Sequence, residues 1–313
     1  MRVHVYSGLT SRCITLAHAY ELCKKTGQDM KVIWPKDERC NIGYYEVFDE
    51  SSFEGVKVTL MEMSCRGPEV GPRKSLQQKK YGQAVKDLFV KLKQILALLP
   101  ANMIAFWYKL RKSYVDYNPV KGMAWSGELF KEHTAKSWTA VRDILKAGKE
   151  PYVHAYCGII NGEEKQDVKL NCIRFRKEYD KAVDEIMQGQ KKWVGVHIRR
   201  TDHLAAIRQS SLDSFVNRMN DVVKTDPEVF FFLATDDAQV ERQLKETFQD
   251  KIVIQGEKAW GRDSMAGMKA GVIDCLCLSR CEYILGSYTS VFSLFAANYG
   301  GIVLHICQDE EGK

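Results

Sequence analysis

Trp193-Val194-Gly195-Val196-His197-Ile198-Arg199-Arg200-Thr201-Asp202 is the stretch on which the reading of this chain turns. Side chains alternate across a strand, so Val194, Val196 and Ile198 share one face and Gly195, His197 and Arg199 the other. A buried apolar row backing a polar row is expected. The strand ends in charge. Open α/β sheets bind ligands just beyond the carboxyl ends of their strands, and a permanently charged guanidinium grips two phosphate oxygens at once. The stretch therefore points to a phosphate-bearing ligand.

Downstream, the pattern alternates regularly. A helix is expected around Leu212 to Val223, then the continuous apolar run Val229 to Ala234, which ends in Thr235-Asp236-Asp237. Such a run suits a strand buried on both sheet faces. Gln239 to Phe248 reads as a helix, Lys251 to Ile254 as a strand, and Gly256 to Asp263 as a loop carrying Arg262. Gly271 to Leu278 is an apolar helix with one acid, Asp274. Glu282 to Ser287 reads as a strand that turns through Tyr288-Thr289-Ser290 into another apolar helix, and Gly300 to Leu304 closes the sheet. Strands and helices alternating at this spacing imply a doubly wound parallel sheet.

Upstream, Val3 to Tyr6 reads as a strand, followed by the turn Ser7-Gly8-Leu9-Thr10-Ser11-Arg12 and a helix that Gly27 closes. One glycine falls short of a dinucleotide fingerprint, so Arg12 is either a ligand residue or a solvated first-turn arginine. Met30 to Pro35 is the next strand and Tyr152 to Tyr156 another. His154 on that strand, flanked by aromatics, is either a hydrogen-bonded core residue or a base. Asp167 to Gln190 reads as helical, and the fresh strand after it sets a domain boundary near Gly189, giving an N-terminal domain 1–189 and a C-terminal domain 190–313.

Residues 66–121 are less regular and strongly basic. Within them, Leu88 to Tyr108 is apolar, but Lys91, Lys93, Pro100 and Asn102 interrupt the roughly twenty apolar residues a membrane span needs. Two readings stand: helices covering the first domain, or a basic amphipathic surface in peripheral contact with anionic lipid or a polyanion.

The 313 residues suffice for two α/β domains, and 45% hydrophobic with 27% charged residues excludes disordered and collagen-like classes. The net charge of +6 is too mild to imply nucleic acid. Ten cysteines scattered over so long a chain suit buried thiols better than disulfides. Cys275, Cys277 and Cys281 lack the paired knuckles of a zinc site, so no metal is expected. Met1 leads straight into a strand without the apolar core of a signal peptide, and a cytoplasmic location is the expectation.

In a doubly wound sheet the strand ends converge. That would gather His197, Arg199, Arg200 and Asp202 from one strand, Asp236 and Asp237 from the next, and Ser287, Thr289 and Ser290 from a third. The last group opens a helix, whose amides and positive end attract phosphate. Plain N-capping is the competing reading of those hydroxyls. Asp236 and Asp237 suit ribose hydroxyls or a guanine N–H edge better than phosphate. Asp274 must find hydrogen bonds if buried, from a base edge or Arg262.

These segments, His197 to Asp202, Leu233 to Asp237, Arg262 with Asp274 to Ser279, and Ser287 to Phe292, resemble in order and spacing the motifs of one superfamily. It contains the α1,2-, α1,6- and protein O-fucosyltransferases and the bacterial nodulation fucosyltransferase. Gly8 to Arg12 resembles its N-terminal G-L-x-N-R loop, with Ser11 in place of asparagine. The resemblance is specific over Trp193 to Ala297, loose over residues 1–65 and absent across Arg66 to Gln190.

The resemblance implies a GT-B architecture, two Rossmann-like domains facing a cleft. It implies inverting, metal-independent transfer of fucose from GDP-fucose to a glycan or other hydroxyl acceptor, with no cofactor beyond that donor. Arg199 would hold the β-phosphate with Arg200 in support. His197 and Asp274 would hold guanosine, Asp236 and Asp237 would order the donor site, Ser290 would bind phosphate, and Arg12, Arg262, Ser287 and Thr289 would complete it. One departure stands out: Ile207 occupies the position of the glutamate that is the candidate base in α1,6-type relatives. Asp202 and His203, or His154 and Glu128 from the other domain, are the alternatives, with Asp202 read first as a structural residue that locks Arg199 or Arg200. A transferase of another sugar nucleotide, or a non-catalytic nucleotide or polyanion binder, uses the same arginines.

Overall fold

The computed structural model describes residues 1–64, 99–118, 128–189, 192–201, 204–256 and 259–309. The chain divides into two compact units, Met1–Glu46 with Glu50–Ile173, and Val47–Asp49 with Arg174–Lys313.

The first unit contains β1 (Arg2–Val5), α1 (Leu9–Thr26), β2 (Met30–Lys36), most of α2 (Tyr44–Val47) and β3 (Val58–Ser64). A helix over residues 99–110 (α3), β4 (Tyr114–Asp116), α4 (Glu128–Lys146) and β5 (Tyr152–Ala155) follow. Its sheet is parallel in the order β3-β2-β1-β5-β4. Helix α1 starts after Gly8 and ends at Gly27, whose φ of 66° is the left-handed cap that favours glycine. The expected strands at residues 3, 30 and 152 are present; β3 and β4 were not signalled by the sequence pattern, because both are edge strands of the sheet.

The second unit contains α5 (Lys177–Ile186), β6 (Trp193–Ile198), α6 (Leu204–Gln209), α7 (Leu212–Thr225), β7 (Phe230–Thr235) and α8 (Ala238–Phe248). Then come β8 (Ile252–Val253), α9 (Met265–Ser279), β9 (Tyr283–Ser287), α10 (Val291–Gly300) and β10 (Val303–Cys307). The sheet is again parallel, in the order β10-β9-β6-β7-β8. Strand β6 is central and all six of its residues are buried. On one face Val194, Val196 and Ile198 join Phe215 and Met219 of α7 and Val240 and Leu244 of α8. The other face, expected to be polar, is covered as well. A Cβ at Gly195 would stand 2.9 Å from a Leu278 methyl of α9, and His197 stacks on Phe292 of α10 at 4.8 Å.

The structural division falls earlier than residue 189. Phe175 does not continue a helix from Asp167; it forms an antiparallel bridge with Phe48, ring on ring at 6.2 Å. Residues 163–167 and 170–172 are short 3-10 turns. Helix α5 belongs with the second unit because Arg280, closing α9, pairs with Asp180 at 2.7 Å and with Asp184.

Candidate functional site

In each sheet the strand order reverses beside its first strand, between β6 and β9 in the second unit and between β1 and β5 in the first. Crevices beyond such reversals are where open α/β sheets hold ligands. In the second unit β6 delivers His197, Arg199 and Arg200 to that point, β7 delivers Asp236, and β9 delivers Ser287 to Ser290.

Asp236 organises the turn after β6. One carboxylate oxygen accepts from the Arg200 amide at 2.7 Å, and the other from the Thr201 hydroxyl at 2.6 Å and from the Thr201 amide at 3.4 Å. The same second oxygen pairs with Arg199 Nη1 at 2.7 Å, with both side chains about one-fifth exposed. Arg199 is thus aimed and held while still reachable. The Arg200 guanidinium instead donates to the Ile207 carbonyl at 3.3 Å, so position 207 contributes a backbone acceptor where a carboxylate was sought. Ser287 Oγ accepts from the Arg199 amide at 3.0 Å and donates to the His197 carbonyl at 3.3 Å, tying the ends of β9 and β6 together.

The start of α10 departs from plain capping. Ser290 occupies the N-cap position, yet its side chain makes no cap hydrogen bond; Oγ lies 3.5 Å from His197 Nδ1, which meets Ser293 Oγ at 2.7 Å. His197 is therefore a buried scaffold under the turn, not an exposed edge. Thr289 is exposed and has φ 51°, a left-handed conformation that a β-branched side chain rarely adopts. Strain of this kind collects at functional turns. The first amides of α10, like those of any helix, are left over by the helix itself and face a ligand from its positive end.

Asp237 caps α8, accepting from the Gln239 amide at 2.8 Å and the Val240 amide at 3.4 Å. Asp274 is buried as expected, and the partner that the sequence did not single out is Gln255. Its Nε2 donates to the Asp274 carboxylate and, at 2.8 Å, to the Ala270 carbonyl. A glutamine after a two-residue strand carries no pattern that distinguishes it; only its burial does. Arg262 is exposed, beside Gly261 at φ 94°. A Cβ on Gly267 would stand 2.0 Å from the Gly261 carbonyl oxygen, so glycine at the start of α9 sets the seat of the Arg262 loop.

Arg12 lies in the first unit and is wholly buried, neither solvated nor on a surface. It donates to the Ser7 carbonyl at 2.7 Å and to the Pro35 carbonyl, pairs with Asp37 at 3.1 Å and sits 5.1 Å above the Trp34 ring. It binds the turn after β1 to the end of β2. At the reversal beside it, His4 and His154 stack at 4.5 Å, and His154 Nδ1 lies 2.8 Å from Asn118 Nδ2 and 3.6 Å from Asp116. Burial, then neighbouring His154 and Arg12, pushes His4 down to about 3. Burial pushes the Asp116 carboxyl up, but the neighbouring His154 and the hydrogen bond from the Asn118 amide outweigh it and hold it low. Of the other base candidates, Glu128 is exposed beside Lys131 at 2.6 Å, and Asp202 and His203 lie outside the described residues, as does most of the basic stretch 66–121.

Cys275, Cys277 and Cys281 are buried free thiols, and burial raises all three. Among the described residues no three His, Cys, Asp or Glu side chains converge as metal ligands, and no helix is long and apolar enough to cross a membrane.

Two parallel five-stranded sheets, each flanked by helices, define an α/β protein of the GT-B type. No family model and no curated protein matches the chain. Its structural neighbours include fucosyltransferases. NodZ α-1,6-fucosyltransferase soaked with GDP-fucose superposes with a TM-score of 0.55 at 17% identity, over 95% of this chain and 92% of that one. Fucosyltransferase NodZ from Bradyrhizobium gives 0.53 at 17% identity, over 94% and 92% of the two chains. POFUT1 in complex with GDP-fucose gives 0.54 at 9% identity, over 98% and 97%. At these identities the likeness is one of fold.

Proposed function

We propose that the chain is a GDP-fucose-dependent glycosyltransferase that moves fucose, with inversion and without a metal, to a hydroxyl of a glycan or similar acceptor. The observation that carries this reading is the Arg199–Asp236 ion pair at the end of β6, where Ser287, just ahead of the hydroxyl-rich start of α10, holds the Arg199 amide. Neighbours of the same fold bind GDP-fucose, which supports the donor by analogy of fold. When the sugar leaves, negative charge grows on the diphosphate. Fixed cationic donors aimed at that charge lower the barrier most. Arg199 supplies the charge, Asp236 aims it, and the α10 amides with Ser290 and Thr289 supply neutral donors. The Gln255–Asp274 pair is a buried polar edge suited to guanine. Within the first unit His154, in its cluster with Asp116 and Asn118, is a base candidate.

The test compares thermal stabilisation by GDP, UDP and ADP, then hydrolysis of GDP-fucose against GDP-mannose. Stabilisation by GDP and preferential GDP-fucose turnover are expected; stabilisation by UDP alone rejects the reading. Arg199→Lys keeps the charge but loses the planar fork and is expected to cost at least a hundredfold in turnover, about 3 kcal/mol of barrier. Ile207 in place of a carboxylate favours a second reading, a nucleotide binder without turnover; GDP stabilisation with no hydrolysis of GDP-fucose would select it.

A further inference from the structure

Helix α3 carries two apolar faces. Ala101, Ile104, Ala105 and Tyr108 pack inward with Ile33, Met63 and Tyr152. The opposite face presents Leu99 at 46% exposure, Met103, Phe106 and Trp107 each at 58%, and Leu110 at 60%. At 3.6 residues per turn these five side chains fall within an arc of about 100°. Lys109 and Arg111 fall on either side of that arc, Lys112 follows it, and residues 99–112 contain no acid. Isolated exposed apolar residues need no explanation, but a contiguous stripe of five large ones on a single helix does.

We propose that this face of α3 docks the protein on an anionic lipid surface. The stripe has the composition of an interfacial helix, with Trp, Phe, Leu and Met to enter the headgroup boundary and cations flanking them to meet lipid phosphates. Charge argues against a second copy of the chain as the occupant. A two-fold contact sets a patch against itself, and Lys109 and Arg111 would then face like charges with no acid among residues 99–112 to relieve them. The sequence adds to the attraction: Lys79, Lys80, Lys86, Lys91 and Lys93 fall earlier in the same basic stretch. The remaining face of α3 is anchored, since the Tyr108 hydroxyl donates to Glu150 at 2.6 Å and Arg2 lies 5.8 Å above its ring. The helix therefore does not have to leave the fold to dock.

The experiment is flotation of the full chain with vesicles of phosphatidylcholine alone or with about 30% phosphatidylserine, at about 0.1 M and 0.5 M salt, across which screening of exposed charges tightens sharply. Binding to the phosphatidylserine vesicles, falling with salt and absent on phosphatidylcholine, is expected. Phe106→Ser with Trp107→Ser is expected to abolish it. Arg111→Glu with Lys112→Glu should weaken it by at least about twenty-five-fold, about fivefold for each cation lost. All four positions are exposed, and unchanged circular dichroism and thermal midpoint of the variants verify folding. Absence of wild-type binding, equal binding to both vesicle types, or variants that float like wild type each overturn the proposal. So does a wild-type dimer in solution that the Phe106/Trp107 variant dissociates, which would assign the face to a second copy.

Discussion

Asp236 bears the heaviest load of any single residue in the candidate site, because one carboxylate satisfies two amides and a hydroxyl and aims Arg199. Asp236→Ala leaves the Arg200 amide and the Arg199 guanidinium without that acceptor. It is expected to destabilise the protein by about 1–3 kcal/mol in urea unfolding and to weaken GDP binding more than Asp237→Ala, whose loss is that of a helix cap. Thr289 gives the opposite signature. Glycine there removes a left-handed strain of roughly 1–2 kcal/mol, so Thr289→Gly should hold or raise the thermal midpoint while lowering donor affinity through the lost hydroxyl. A variant both less stable and fully active would show that the turn is scaffolding. At this scale Arg199 and Arg200, Asp274 and the serine turn stood out in the sequence, because charge at a strand end and an acid in an apolar helix are local signals. The particular partners of Asp236, and the work done by Gln255 and the Ile207 carbonyl, did not, since each acts on a group set by the fold.

Close approach between elements decides where these residues stand. A Cβ on Gly286 of β9 would meet the Leu304 methyl at 2.7 Å and Ser293 Cβ at 3.0 Å. Glycine thus lets α10 lie close enough for Ser293 to reach His197 at 2.7 Å. Gly286→Ala must push α10 outward and is expected to cost about 1–3 kcal/mol in denaturant unfolding. Gly195→Ala, against Leu278 and Ile284, should cost a similar amount on the same face of the sheet, beneath α9. An unchanged midpoint in both would mean that the helices yield freely. Within the described part of the basic region, helix α3 turns one face to the first core and the other outward.

For the whole molecule, two buried histidines set an acid limit. His18 accepts from the Ile159 and Ile160 amides at 3.2 and 2.9 Å, and burial pushes it down to about 3, as it does His4. Both are neutral when folded and take up a proton near pH 6.5 when unfolded. The unfolded state therefore binds more protons between about pH 6.5 and 3, and stability falls as pH drops through that window. The slope approaches on the order of 1.4 kcal/mol per pH unit for each histidine. Urea midpoints at pH 7 and 5 measure it, and His18→Asn is expected to flatten the dependence by about one proton. A wild-type midpoint that does not change over this range would refute the assignment.

The sequence by itself determined the alternation of strands and helices in the second unit, the burial of the apolar row of β6 and of β7, and the charged strand end at Arg199, because hydrophobic period and charge placement are properties of neighbouring residues. Tertiary structure alone decided the rest. Edge strands β3 and β4, half exposed or only three residues long, have too little burial to impose a period. Arg12 became a buried tie because Asp37 and Pro35 come to it from the end of β2. The strand order 10-9-6-7-8 brings Ser287 to Arg199 across 88 positions of sequence. Which strand lies beside which follows from how helices cover both faces of a sheet, and no local pattern encodes that choice.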